Sequence, residues 1–174
     1  MCAFPLHVWA FILSFMDFSW VAERTNTWDA LGVISYGLIF ALIESVIVFW
    51  VTAIAGLLIS TKWEEPRRVA LLSALVLVLS GWAMYDQAHF MWGLSFPASV
   101  LQYAAQSEHP VRVLYLFLLG PILLTVLTPA VLILQRDRAF TFAQGLIERF
   151  SLLAAFYLFL DAAGLVIVVI RNIQ

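Results

Sequence analysis

Three ionisable residues stand where the chain otherwise reads as hydrocarbon: Glu44, Asp161 and His7. Glu44 lies inside YGLIFALIESVIVFW, residues 36–50, and close to the middle of the longest apolar block. An ionised carboxylate at a bilayer midplane costs about 2.5–3.5 kcal/mol on insertion scales, so Glu44 is expected to face a partner or a cavity and not lipid. Gly37, Ala41 and Ser45 recur every four residues beside it, the small-residue pattern that lets a second helix approach closely. Asp161 has a similar setting in the last apolar block, with Ala154, Tyr157 and Gly164 on its face at helical spacing. Two chemistries are open to these groups. Two carboxyls at similar depth, with His7 entering from the inner side of the first segment, are the parts of a proton or cation pathway. Alternatively each acid is protonated and donates an interhelical hydrogen bond, holding the fold together.

A second polar group gathers at one membrane interface. YDQAH, residues 85–89, carries Asp86 and His89, and DFSWVAERTNTWD, residues 17–29, carries Asp17, Glu23 and Arg24. Glu108 and His109 close a short surface helix expected on the same side. A histidine with several carboxylates is the raw material for a metal site or for acid–base work on a lipid headgroup. Asp86 and His89, three residues apart with no further ligand spacing, match no motif that fixes such geometry, so helix-end solvation is the expectation here. No catalytic residue, metal ligand or cofactor is assigned.

The fourth apolar block holds Gly120-Pro121 and Thr128-Pro129, with Thr125 between them. Each proline removes one helical hydrogen bond, freeing the carbonyls of Phe117 and Thr125, and kinks the helix unless neighbours compensate. Broken helices with free carbonyls serve transporters, but threonine hydroxyls also satisfy what proline leaves.

Absences narrow the function. The sequence has no HExxH, GxSxG, phosphate-binding glycine loop or arginine ladder. Cys2 is the one cysteine, which excludes an internal disulfide and a cysteine-held metal within one copy. Three histidines on separate segments show no spacing diagnostic of haem. A net charge of −2 without a basic run argues against nucleic acid.

These residues need long helices to position them. Of the 174 residues, 64% are apolar and 11% charged, with a mean hydropathy of +0.99. That composition places the chain among integral membrane proteins. A span needs about 20 mostly apolar residues, and four blocks qualify: 30–59, 69–91, 111–134 and 150–170. A fifth, 3–20, is marginal because Pro5, His7 and Asp17 interrupt it, and a re-entrant or interfacial helix is its alternative. TKWEEPRR, residues 61–68, reads as a tight turn with Pro66 in the first turn of the next helix. Residues 135–138 end the fourth block, and 139–149 lead amphipathically into the last. Within 92–110, Ser95 and Pro97 offer a helix start and Pro110 a stop, so a short external helix on the membrane surface is expected.

Lys62, Arg67, Arg68, Arg136, Arg138 and Arg149 fall on one side of this arrangement, against Arg24, Arg112 and Arg171 on the other. The positive-inside rule then puts the N-terminus in the cytoplasm and the C-terminus outside. The sequence thus predicts an all-α, polytopic membrane bundle of about five spans, one domain over 1–174, in contact with the lipid bilayer. Its expected role is a module without catalysis of its own, an anchor or assembly subunit, as a homo-oligomer or in a larger membrane complex. The alternatives are a small proton- or cation-coupled transporter using Glu44 and Asp161, and an enzyme on lipid headgroups at the outer interface.

Overall fold

The computed structural model describes residues 1–60, 62–93 and 96–173, with the side chain of Phe90 left aside. Six helices follow one another: α1 (Ala3–Arg24), α2 (Thr27–Leu58), α3 (Glu65–Trp92), α4 (Ala98–Ala105), α5 (Pro110–Gln135) and α6 (Asp137–Ile173). No strand occurs among the described residues. Five of the helices are long and apolar enough to cross a membrane. The interrupted first segment is among them: α1 continues past Trp20 to 22 residues, about 33 Å at the helical rise.

Local sequence explains where the helices begin. Asn26 caps α2 by accepting a hydrogen bond from the Asp29 amide at 2.9 Å, and Asp29 adds negative charge to the first turn. Pro66 sits in the first turn of α3, and Pro110 in that of α5, where a missing N–H is harmless. Gly93, with φ of 63°, ends α3 in the left-handed conformation that only glycine adopts without cost. Pro97 precedes α4, whereas the helix start expected of Ser95, and Thr61 of the polar turn, lie outside the described residues.

The amphipathic lead-in expected over 139–149 is helical. It is continuous with the last span, and α6 runs for 37 residues, about 55 Å. No proline or glycine pair interrupts it, and Gly145 alone is too weak a breaker.

Packing is built on small side chains. Ala30, Ser35, Ala41 and Ser45 of α2, Ala70 and Ser73 of α3, and Gly164 of α6 are buried. Large apolar groups face outward instead, Phe15 at 79%, Leu58 at 85% and Leu152 at 77% exposure. A chain in water places these two classes the other way round. The five long helices and this distribution both fit an integral membrane protein. At Gly164 a Cβ would lie 3.4 Å from the Ser35 carbonyl oxygen, so α6 approaches α2 closely at Ser35 and Leu38.

Two arginines tie the ends together. Arg67, at the start of α3, donates to the carbonyls of Ile133 (3.3 Å) and Leu134 (3.1 Å) and pairs with Asp137. It therefore satisfies the open C-terminus of α5 and joins the α2–α3 connector to the α5–α6 connector. At the other end Arg171 donates to the Trp28 carbonyl at 2.6 Å and to Asp29 Oδ1 at 2.8 Å, closing the end of α6 on the start of α2.

Candidate functional site

α1 is docked to α6 through a line of rings and one polar pair. Phe4 stacks on Phe150 with centroids 4.1 Å apart, and the His7 imidazole stacks on Tyr157 at 4.8 Å. One turn further along α6, Asp161 meets His7 Nε2 at 3.0 Å through Oδ1 and 3.2 Å through Oδ2. His7 has 0% and Asp161 3% side-chain exposure, so both partners are almost fully buried.

His7 Nδ1 lies 2.8 Å from the Ala3 carbonyl oxygen, which can only accept, so Nδ1 is the donor there and Nε2 is the nitrogen turned to the Asp161 carboxyl.

The pair forms part of the wall of a cavity of about 580 Å³ between α1, α2, α3 and α6. Met1 and Cys2 line it together with Thr52 and Ala53. Its surface is mostly apolar, with Ser45, Ser73, Thr52 and Tyr157 as further polar groups. Ser45 spends its hydroxyl hydrogen on the Ala41 carbonyl at 2.6 Å.

Glu44 belongs elsewhere. It is exposed, makes no hydrogen bond or ion pair among the described residues, and lines none of the cavity around His7 and Asp161. It lines two neighbouring grooves of about 500 and 310 Å³ between α1, α2 and α3. Gln87 and Trp9 line both, joined by a Trp9 Nε1 to Gln87 Oε1 bond of 2.6 Å, and Asp17 lines the smaller. The expected constellation of Glu44, Asp161 and His7 is thus divided: His7 and Asp161 are bonded, and Glu44 faces another side of α2. Consecutive residues of a helix point about 100° apart, so Ser45 reaches the first cavity while Glu44 does not.

The second polar group of the sequence is divided as well. Asp86 and His89 share a cavity of about 600 Å³ with Tyr85, Gln87 and Phe96. His89 Nε2 meets the Tyr85 hydroxyl at 2.9 Å, and its ring stacks on Phe96. Asp17 lies in the Glu44 groove, Arg24 folds over the Trp20 ring at 4.0 Å, and Glu23 is exposed. No group of three metal-ligating residues is found among the described residues. In α5 the helix runs through Pro121 and Pro129, and the Thr125 hydroxyl donates to the Pro121 carbonyl at 2.7 Å while accepting from Trp82 Nε1 at 2.8 Å. Thr128 makes no hydrogen bond through its side chain among the described residues.

Ser73, the Trp9–Gln87 bond and the two arginine clamps have no sequence signal of their own. They depend on which helix lies against which, and no local spacing carries that. Comparison with protein-family models, with curated proteins and with solved structures finds no match to this chain.

Proposed function

We propose that this chain is a non-catalytic membrane module, an anchor or assembly subunit that joins other membrane helices through the face of α1, α2 and α3 carrying Glu44. The observation that carries this reading is Glu44 itself, exposed in the middle of α2 without a hydrogen-bond partner among the described residues. A carboxyl at that depth is costly against lipid. A second copy or another subunit supplying a donor to the groove removes the cost, and Gln87 and Asp17 add polar anchors beside it. The bundle lies with the basic connectors around Arg67 and Arg136 in the cytoplasm, the N-terminus inside and the C-terminus outside. α4 rests on the outer interface.

The test is the size of the particle taken directly from the membrane in polymer-bounded discs. Wild type is expected in a stoichiometric assembly, and Glu44→Leu as a single folded chain. A monomeric wild type overturns the proposal.

A second reading, a proton- or cation-coupled carrier, is favoured by the position of the His7–Asp161 pair on a cavity wall. Under it, Asp161→Asn and Glu44→Gln each abolish ion flux in reconstituted vesicles without unfolding the protein. Unchanged flux in both removes that reading.

A further inference from the structure

We infer that the cavity beside His7 and Asp161 is a binding site for one neutral, lipid-like molecule: an apolar chain carrying a single hydrogen-bonding oxygen. The inference is independent of the Glu44 face, which lines other grooves.

Two hydroxyls carry it. Ser73 on α3 is 8% exposed and Tyr157 on α6 is 5% exposed. Neither hydroxyl has a hydrogen-bond partner among the described residues. Arg68 Nε is the one buried side-chain nitrogen or oxygen there with neither a partner nor accessible surface. The Ser73 and Tyr157 oxygens, also unpartnered, therefore keep accessible surface, and both residues line this cavity. A hydroxyl left without a partner in apolar surroundings costs about 1–3 kcal/mol, and the two residues that carry such hydroxyls line the same apolar space, so a ligand oxygen is expected there.

The remaining wall defines the rest of the molecule. Leu42, Val46, Phe49, Leu72 and Leu158 give it an apolar lining. No Lys or Arg side chain lines it, and its one carboxyl and one imidazole are spent on each other. A charged headgroup would be desolvated there without a counter-charge from any side chain. The volume of about 580 Å³ falls within the range of about 300–1,000 Å³ usual for small-molecule sites. Fatty alcohols, and neutral lipids with a hydroxyl or carbonyl, share this chemistry.

The experiment uses the full chain purified in detergent and a hexadecanol bearing a diazirine in its chain. Photolabelling followed by peptide mapping is expected to place the label on the α2 stretch from Leu42 to Ala53 and on the α6 stretch from Ala154 to Asp161. Unlabelled hexadecanol should compete and hexadecane should compete poorly. The double variant Ser73→Ala with Tyr157→Phe keeps the ring stack on His7 and should lower specific labelling about tenfold, the combined effect of two lost hydrogen bonds. Ala53→Phe, which fills the cavity, should abolish it. Label spread evenly over outward positions such as Phe15 and Leu58, equal in wild type and the hydroxyl variant, would mean bulk lipid contact only and overturn the site. Specific label that survives loss of both hydroxyls, in a protein with an unchanged melting profile, overturns the assigned oxygen contact.

Discussion

His7 and Asp161, separated by 154 positions in the chain, meet at 3.0 Å with both side chains almost fully buried. The contact joins the first of the long helices to the last one. Removing one partner strands the other. His7→Ala and Asp161→Ala are each expected to cost about 3–5 kcal/mol, the usual penalty for breaking a buried pair. A double replacement by apolar residues of similar volume, His7→Phe with Asp161→Leu, should recover most of it, because nothing polar is then left in the buried site. Thermal or denaturant unfolding in one detergent, run as a double-mutant cycle, gives the coupling. Additive losses from the two single variants would show that the pair does not hold α1 in place.

Arg67 and Asp137 form an ion pair of unequal burial, 20% exposed against 88%. The solvent-facing carboxylate screens its own contribution, so Asp137→Asn should change stability by less than about 1 kcal/mol. The two α5 carbonyls have no such substitute. Arg67→Met leaves Ile133 and Leu134 without their donor and is expected to cost about 1–3 kcal/mol. Hydrogen exchange at the last turn of α5 locates the loss, and an equal effect of both substitutions would contradict the role given to the carbonyl bonds.

How far the sequence foretells this arrangement depends on the range of the interaction. Span positions were legible because a membrane helix needs a long apolar run, and α2, α3 and α5 begin and end within about four residues of those runs. Pro66 marks a helix start by its own chemistry, whereas Pro110, expected to stop the short helix, opens α5 instead, because α4 already ends at Ala105. The buried face of α6 was legible too: Tyr157, Asp161 and Gly164 follow helical spacing and are its buried residues. The partner of Asp161 was not, since Glu44 and His7 look equally suitable in sequence. That choice is made by which face of α2 turns toward α6, and small residues occur on more than one side of α2. The lead-in over 139–149 runs into the last span as its amphipathic pattern suggests, and nothing in its charged turns breaks the helix.

Gly164 and Gly32 separate two kinds of close packing. A methyl group at Gly164 would stand 3.4 Å from the Ser35 carbonyl oxygen and 3.7 Å from Leu38 Cβ, so Gly164→Ala is expected to be tolerated within about 1 kcal/mol. Gly164→Leu should push α2 from α6 and cost about 1–3 kcal/mol. At Gly32 the added carbon would lie 2.6 Å from the Arg171 guanidinium carbon. The arginine must move, losing its bonds to Trp28 and Asp29, so Gly32→Ala should destabilise while Arg171→Ala makes the same substitution nearly silent. Melting curves of the four combinations decide this.

Orientation is open to direct measurement. In a Cys2→Ser background, single cysteines at Thr25 and Glu108 should react with an impermeant thiol reagent applied from outside, and one at Lys62 only after permeabilisation. The reverse pattern would turn the bundle over, and the same pattern at Thr25 and Lys62 would mean that α2 does not span.

Glu44 yields opposite signs in two measurements, and that opposition distinguishes an assembly surface from a structural residue. In the isolated chain its carboxyl is exposed and makes no hydrogen bond among the described residues. Nothing in the monomer is lost when it becomes leucine, and a polar group is removed from a region that hydrocarbon should cover. Glu44→Leu is therefore expected to raise the melting temperature of the monomer in detergent, by a few degrees for about 1 kcal/mol in a domain of this size. The assembled form should respond the other way, because a partner donor that had bonded Glu44 would be left buried and unpaired, at a cost of about 1–3 kcal/mol per contact. The fraction of complex recovered from membranes should fall, while Glu44→Gln, which keeps an acceptor, should retain an intermediate fraction. A monomer destabilised by Glu44→Leu would place the carboxyl in the internal packing of one chain. A complex unaffected by it would move the assembly surface away from the α1, α2 and α3 groove.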